Sequence, residues 1–131
     1  MVRTYNLSTD GEKNVSAHFK VKEFINSQWT QTGKIEDDLV EILESLRSLI
    51  MKPIKITPNG GYRTTEQNKN SGGADNSYHL KGMAADIQVE GMSPTKVAIY
   101  AAMVGARGVG VYDSFTHIDS RETRYVFRPE K

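Results

Sequence analysis

Two short stretches of the chain carry residue types that bind metals and move protons. NSYHLKGMAADI, at residues 76–87, contains His79 and Asp86 seven positions apart. FTHIDSR, at residues 115–121, contains His117, and the chain holds only three histidines in all. A catalytic zinc ion is typically held by three protein side chains and keeps one open position. The pattern indicates one possible metal site, and two ordinary hydrogen-bonded histidines are the alternative that the spacing alone leaves open.

Strand periodicity brings further groups beside these ligands. Side chains alternate along a strand, so Ala84 shares a face with Asp86, and Asp119 shares one with His117, about 7 Å away. The small Ala84 leaves room for a metal ion. Asp119 suits either of two roles: reaching the water that the metal activates, or orienting a ligating imidazole. Asp113 is the other candidate base, although a turn separates it from His117.

The composition excludes several other kinds of site. The absence of cysteine removes disulfides, thiolate catalysis and cysteine-type zinc sites. The net charge of +1 gives no broad electrostatic case for nucleic acid or an anionic membrane as a partner. No segment has the roughly 18 apolar residues that span a bilayer. The first residues, MVRTYNLSTDGEKN, lack the apolar core of a signal peptide, so we expect synthesis in the cytoplasm.

The elements that must position these residues indicate a single α+β domain, because 131 residues is a typical length for one domain. We expect a polar lead-in over residues 1–17 and a catalytic core over about 18–128. Helical spacing of apolar residues and helix caps predict helices over 35–51 and 93–105 and a short helix beginning at Thr64 or Thr65. The sequence predicts a loop at TQTGK. It predicts strands at IKITP, MAADIQVE, GVGVY, FTHID and RYVF. Because hairpins dominate the second half, we expect a central, mainly antiparallel sheet flanked by helices.

The two stretches together resemble a known family. SYHLKGMAAD is similar to the S-x-H-x-x-G-x-A-x-D signature of the zinc D-alanyl-D-alanine carboxypeptidase family, peptidoglycan peptidases that share a fold with the hedgehog signalling domain. GVGVYDSFTHIDSR resembles the second half of that family's site, where a histidine in an H-x-D completes the metal set. GGYRT is similar to the segment that carries a substrate-binding arginine. The likeness covers roughly residues 18–128 and is nearest to the short branch of phage and bacterial murein peptidases.

This resemblance implies one Zn²⁺ ion held by His79, Asp86 and His117. It also implies a carboxylate base, but better-known relatives place a glutamate three residues before the last histidine, where this chain has Ser114. Asp119 is then the favoured catalytic base and Asp113 the next candidate, and a structural role for Asp119, holding a ligand in its tautomer, is equally open.

The resemblance further implies a set of substrate-binding residues. Arg63 would bind a substrate carboxylate with both arms of its guanidinium, the alternative being a surface ion pair. The remaining candidates for the substrate cleft are Ser77, Tyr78, Tyr112 and Gln67.

The function implied is a zinc-dependent peptidase that cuts the stem peptides or cross-links of bacterial peptidoglycan. A D,D-carboxypeptidase and an endopeptidase or endolysin both remain open, and the short chain favours the endopeptidase. The alternative is a catalytically inactive, zinc-bearing module that binds the cell wall or serves a phage structure. We expect a monomer acting at the cell wall, in phage or prophage lysis or on a virion.

Overall fold

The computed structural model describes residues 1–128 as four α-helices, seven strands and two short 3₁₀ helices. The strands are Val2–Asn6 (β1), Thr32–Glu36 (β2), Lys55–Ile56 (β3), Ala84–Gln88 (β4), Gly108–Val111 (β5), Thr116–Asp119 (β6) and Tyr125–Phe127 (β7). The α-helices are Leu7–Asp10 (α1), Asp37–Ile50 (α2), Thr65–Asn70 (α3) and Pro94–Met103 (α4), and the 3₁₀ helices are Val21–Glu23 and Tyr78–Lys81.

The central sheet has the strand order β3-β4-β6-β5-β7. Its neighbouring strands are antiparallel except for the parallel pair β5 and β7. The expectation of an α+β fold with a mainly antiparallel sheet is therefore confirmed. The register aligns two rows of residues across the sheet, and both rows lie on the same face. The first row is Asp86, His117, Gly110 and Phe127, and the second is Ala84, Asp119, Gly108 and Tyr125.

The opposite face of the sheet packs on the hydrophobic core. The alternate residues Ile118 and Val109 are buried there together with Leu43 of α2 and Val97 of α4. Asp37 and Asp38 lie in the first turn of α2, where the helix dipole favours negative charge. The core thus anchors one side of β4, β5 and β6 and leaves the other side to polar residues.

Most of the predicted elements are present, with small shifts at their ends. The predicted helix over 35–51 begins at Asp37, because the two preceding residues belong to β2. The short helix α3 follows Thr64, whose side chain accepts a hydrogen bond from the backbone of Gln67. Ser93 caps α4 in the same way, with Pro94 in the first turn.

One segment differs from the sequence-based prediction. TQTGK is a loop only at Thr30 and Gln31. Residues 32–34 belong to β2, which pairs antiparallel with β1 from Val2↔Glu36 to Asn6↔Thr32. β1 is largely exposed, and the buried residues of β2 are Gly33, Ile35 and Glu36, of which only Ile35 is a large apolar residue. The ribbon therefore lacks the apolar alternation by which a half-buried strand is recognised. Within residues 1–128, none of the helices is long and apolar enough to cross a bilayer.

Candidate metal centre

His79 is held by a tight turn that leads into the central sheet. It lies in the 3₁₀ helix Tyr78–Lys81, whose first turn is capped by the Ser77 hydroxyl accepting from the His79 backbone at 3.2 Å. Gly82 ends this helix with a φ of 73°, and a Cβ there would collide with the backbone of Lys34. Only glycine fits such a position without strain. The turn therefore fixes where the His79 ring enters the site.

The orientation of the His79 ring is set by a backbone carbonyl. Its Nδ1 lies 2.9 Å from the Gly61 carbonyl oxygen, and since a carbonyl only accepts, Nδ1 carries the proton. Its Nε2 points at Asp86, 3.3 Å from Oδ1. A ligating histidine is typically held in this way, with its second nitrogen on a carbonyl or carboxylate.

His117 faces the same carboxylate from the neighbouring strand. Asp86 and His117 are direct partners in the β4–β6 pair. The Nδ1 atom of His117 lies 3.1 Å from Asp86 Oδ1, and its Nε2 lies 2.7 Å from Asp119 Oδ2. The ring is therefore clamped between two carboxylates, one at each nitrogen.

These contacts bring three possible ligand atoms together. One atom each from His79, Asp86 and His117 lies within 4.8 Å of the other two, and all three residues are buried. Two imidazole nitrogens and a carboxylate oxygen suit zinc and other divalent transition metals. The donor set thus fits a single metal ion, as the sequence predicted.

The charges of the three residues depend on one another. Burial on its own would raise the pKa of Asp86, but hydrogen bonds with His117 and His79 outweigh it and hold that pKa well below its usual range. Burial would lower the pKa of His117, whereas its hydrogen bonds to Asp119 and Asp86 raise it overall. Without a metal, the site therefore stabilises a protonated imidazole between ionised carboxylates.

Asp119 lies on the far side of the His117 ring from Asp86 and is fully buried. Its two oxygens also accept three hydrogen bonds from Arg121, at 3.1, 2.8 and 2.6 Å. Burial would raise the pKa of Asp119, but Arg121 and His117 together hold it well below its usual range. Gly108 lies opposite in β5, and a Cβ there would collide with the Asp119 carboxylate. Asp119 is thus a buried, hydrogen-bonded carboxylate that can fix the orientation of the His117 ring.

Arg63 is directed into the protein, with an 11% exposed side chain. Its Nη2 donates to Asp86 Oδ2 at 3.1 Å, its Nε to the Asn59 carbonyl at 2.8 Å and its Nη1 to Asn68 Oδ1 at 3.2 Å. Gln67 is fully buried, and its side-chain amide forms hydrogen bonds with Asn59 and with the backbone of Thr64. Gln67 therefore faces the protein interior, and its part in the substrate cleft stays a prediction.

The loop between β5 and β6 covers one side of the site. Tyr112 stacks on Phe115 at a ring distance of 4.3 Å and meets Phe127 edge-on at 6.2 Å, and Phe127 in turn lies 5.6 Å from the His117 ring. Burial and the charge of Asp86 raise the pKa of the Tyr112 hydroxyl, so it stays protonated. Asp113 is exposed in the same loop.

Two residues of the signature stretch lie at the entrance to the His79 turn. Ser77 serves as the cap described above, so its hydroxyl already has a backbone partner. The half-buried Tyr78 ring lies under two cations, Lys81 at 5.0 Å and Arg121 at 4.7 Å.

Several residues that build the site were not singled out from the sequence. Arg121 has the same strand parity as His117 and Asp119, so the period of two could have indicated it. The Gly61 carbonyl and the Asn68 amide act through contacts made only in the folded chain. They carry no signal in sequence spacing.

Comparisons with known proteins agree with this geometry. Residues 17–119 match the model of the family described as Peptidase M15. Peptidoglycan L,D-endopeptidase MepK of Escherichia coli strain K12 is 33% identical over 100 residues, covering 70% of this chain and 54% of that protein. A probable peptidoglycan L,D-endopeptidase MepK of Haemophilus influenzae is 30% identical over 102 residues, covering 72% of this chain and 55% of that protein. The chain spans about half the length of these relatives.

A solved structure shows the same fold. The L-Ala D-Glu endopeptidase ChiX of Serratia marcescens is similar with a TM-score of 0.50 and 15% identity, covering 66% of this chain and 80% of that one. The family match includes all three members of the metal-binding group, which confirms the resemblance drawn from the sequence. The chain belongs to the peptidase M15 family.

Proposed function

We propose that the chain is a zinc-dependent peptidase that hydrolyses peptide bonds in the stem peptides or cross-links of bacterial peptidoglycan. The observation that carries this proposal is the convergence of His79, Asp86 and His117 within 4.8 Å. Three protein donors, rather than four, are typical of catalytic zinc sites. The names of the relatives, which are peptidoglycan endopeptidases, support peptidoglycan as the substrate.

The ligand atoms follow from the hydrogen bonds. His79 would bind through Nε2, because its Nδ1 is held by the Gly61 carbonyl, and His117 through Nδ1, because its Nε2 is held by Asp119. Asp86 would bind through Oδ1, which faces both rings. When bound there, zinc supplies Lewis-acid chemistry, lowering the pKa of a coordinated water and polarising the scissile carbonyl.

The proposed proton acceptor is Asp113 rather than Asp119. The carboxylate of Asp119 is buried and accepts hydrogen bonds from His117 and Arg121. It therefore positions the imidazole, as carboxylates behind metal-bound histidines do. Asp113 lies in the loop that enters β6 just before His117. From there it takes the proton of the attacking water and passes it to the leaving amine.

Arg63 and Tyr112 complete the site. With its three nitrogens directed at protein acceptors, Arg63 holds Asp86 Oδ2 so that Oδ1 faces the two histidines. It is therefore a positioning residue and not the grip for a free terminal carboxylate that a carboxypeptidase needs. This favours an endopeptidase. The protonated Tyr112 hydroxyl donates a hydrogen bond to the substrate.

An inactive zinc-bearing module for cell-wall binding or a phage structure is the second candidate. It is favoured by Ser114, which stands where better-known relatives have a glutamate. Both candidates act at the cell wall, and we propose a monomer for both. For the active peptidase we propose a role in cell lysis by a phage or prophage.

The test is hydrolysis of purified muropeptides as metal is removed and restored. A chelator should abolish cleavage, and stoichiometric Zn²⁺ should restore it. Asp113→Asn should bind zinc normally and cleave slowly. A chain that binds zinc tightly but shows no cleavage under any metal loading is the inactive module.

A further inference from the structure

A basic groove opens beside the metal centre, and Arg121 is the one of its defining residues that has a part in the mechanism above. It is defined by Tyr78, Lys81, Arg121, Arg124 and Tyr125, and its volume is about 580 Å³. Tyr78 and Lys81 come from the 3₁₀ helix that carries His79, and the other three follow β6. The groove therefore adjoins both halves of the metal site.

The groove is connected to the metal ligands through Arg121. The Arg121 guanidinium donates a hydrogen bond to Asp119, which is in turn hydrogen-bonded to Nε2 of His117. It also lies against the rings of Tyr78 and Tyr125, at 4.7 and 5.3 Å, so its position is fixed from three sides. Arginine over aromatic rings makes favourable cation–π contacts. Because Arg121 is already fixed in place, this wall of the groove can bind a ligand without first becoming ordered.

The lining of the groove has an excess of positive charge. Its three cations face one carboxylate, that of Glu122. Asp119 neutralises Arg121 from behind, which leaves Lys81 and Arg124, both exposed, against Glu122. Because the net charge of the whole chain is only +1, this excess is a local feature. An anionic group entering the groove would relieve the repulsion between neighbouring cations.

The sheet register sets the distance from the groove to the reacting bond. Tyr125 lies in the row of Asp119, whereas Phe127 lies in the row of His117 and Asp86. The two rows are two residues apart, or about 7 Å along the strands. An extended peptide spans that distance with about two residues.

We propose that the basic groove binds a carboxylate of the peptide substrate, about two residues from the cleaved bond. This rests on the proposed peptidase function and adds a substrate class to it: stem peptides with a free acidic group, in preference to their amidated forms. Lys81 and Arg124 provide the charge, and Arg121 forms the fixed wall between the two tyrosines.

The test compares two stem-peptide substrates that differ only in a carboxylate or a carboxamide near the cleaved bond. For the wild-type protein, KM for the carboxylate form should be about fivefold lower, the size expected for two exposed ion pairs, and the preference should shrink with added salt. In a Lys81→Gln, Arg124→Gln double variant the two KM values should become equal. Lys96→Gln, which removes a positive charge from α4 on the other side of the sheet, should keep the wild-type preference.

A binding measurement separates this proposal from the proposed function. The same two peptides are titrated calorimetrically into His79→Ala, and into His79→Ala carrying the double substitution. Tighter binding of the carboxylate form, lost with the double substitution, supports the groove even if no variant cleaves anything. Equal binding of both peptides to His79→Ala overturns the proposal whether or not the protein is a peptidase. Equal KM values in a wild type that cleaves both peptides overturn it as well.

Discussion

Replacing Arg63 should weaken metal binding more than it weakens substrate binding. In the structure this guanidinium holds Asp86 Oδ2 at 3.1 Å and is itself held by Asn59 and Asn68. Arg63→Met removes these donors while keeping an unbranched chain. Asp86 then loses the partner that turns Oδ1 towards both histidines.

The magnitude follows from two independent estimates. Loss of a group that orients a metal ligand typically costs 10- to 100-fold in metal affinity. Leaving a buried hydrogen-bonding group without its partner costs about 1–3 kcal/mol, which corresponds to a similar factor. We therefore expect the zinc dissociation constant of Arg63→Met to rise about 10- to 100-fold. The zinc dissociation constant of Arg63→Lys should lie between those of Arg63→Met and the wild type, because an ammonium group cannot hold Asp86, Asn59 and Asn68 together.

The assay is zinc competition against a chelator of known affinity, with thermal unfolding of each metal-free variant to verify folding. Asn68→Ala is the matched control, because it removes one support of Arg63 without touching Asp86. It should give a smaller loss in the same direction. A zinc affinity within twofold of the wild type for Arg63→Met, together with a raised KM for peptides, would refute this reasoning and make Arg63 a substrate ligand.

Three further predictions concern the neighbouring groups. Asp119→Asn should weaken zinc binding about 10- to 100-fold. Asp113→Asn should lower kcat at least 100-fold and leave the zinc affinity measured by chelator competition unchanged. The opposite pattern would exchange the roles of the two aspartates. Because the pKa of His117 is raised in the metal-free protein, a proton competes with the metal up to a higher pH than at an ordinary histidine. Zinc affinity measured against pH should therefore rise until the pH exceeds that raised pKa, with uptake of zinc releasing a proton; a flat profile between pH 6 and pH 8 contradicts this. Gly108→Ala should lower the free energy of unfolding by about 1–3 kcal/mol in urea titrations, because its Cβ collides with Asp119, and an unchanged value would mean that the carboxylate can move aside.

The metal-binding group could be predicted because two separate stretches of the sequence resemble the motifs of one family, whereas the spacing of the residues alone left ordinary histidines as an alternative. His79 and Asp86 lie within one turn and strand, and the period of two places Asp119 on the face of His117. What the sequence left open was the direction of each ring nitrogen. That direction depends on Gly61 and Arg121, whose contacts arise only when distant segments pack.

The roles of Arg63 and Gln67 show the limit of motif reasoning. A motif reports which residue types occur, but the partners of a side chain depend on burial. Both side chains turn inward to Asn59, a residue with no feature that marks it in the sequence. The β1–β2 ribbon was missed for a related reason, since β1 is largely exposed and two of the three buried residues of β2, Gly33 and Glu36, carry no apolar signal.

The measurement that tests the central claim most directly is digestion of purified muropeptides by the zinc-loaded chain, read by mass spectrometry, with His79→Ala in parallel. The wild type should give paired fragments that locate an internal cut, and His79→Ala should leave every muropeptide intact. Loss of a single terminal alanine would identify a carboxypeptidase and contradict the role given to Arg63. If the zinc-loaded wild type leaves muropeptides of several chemotypes intact, the claim that this site hydrolyses peptidoglycan is contradicted.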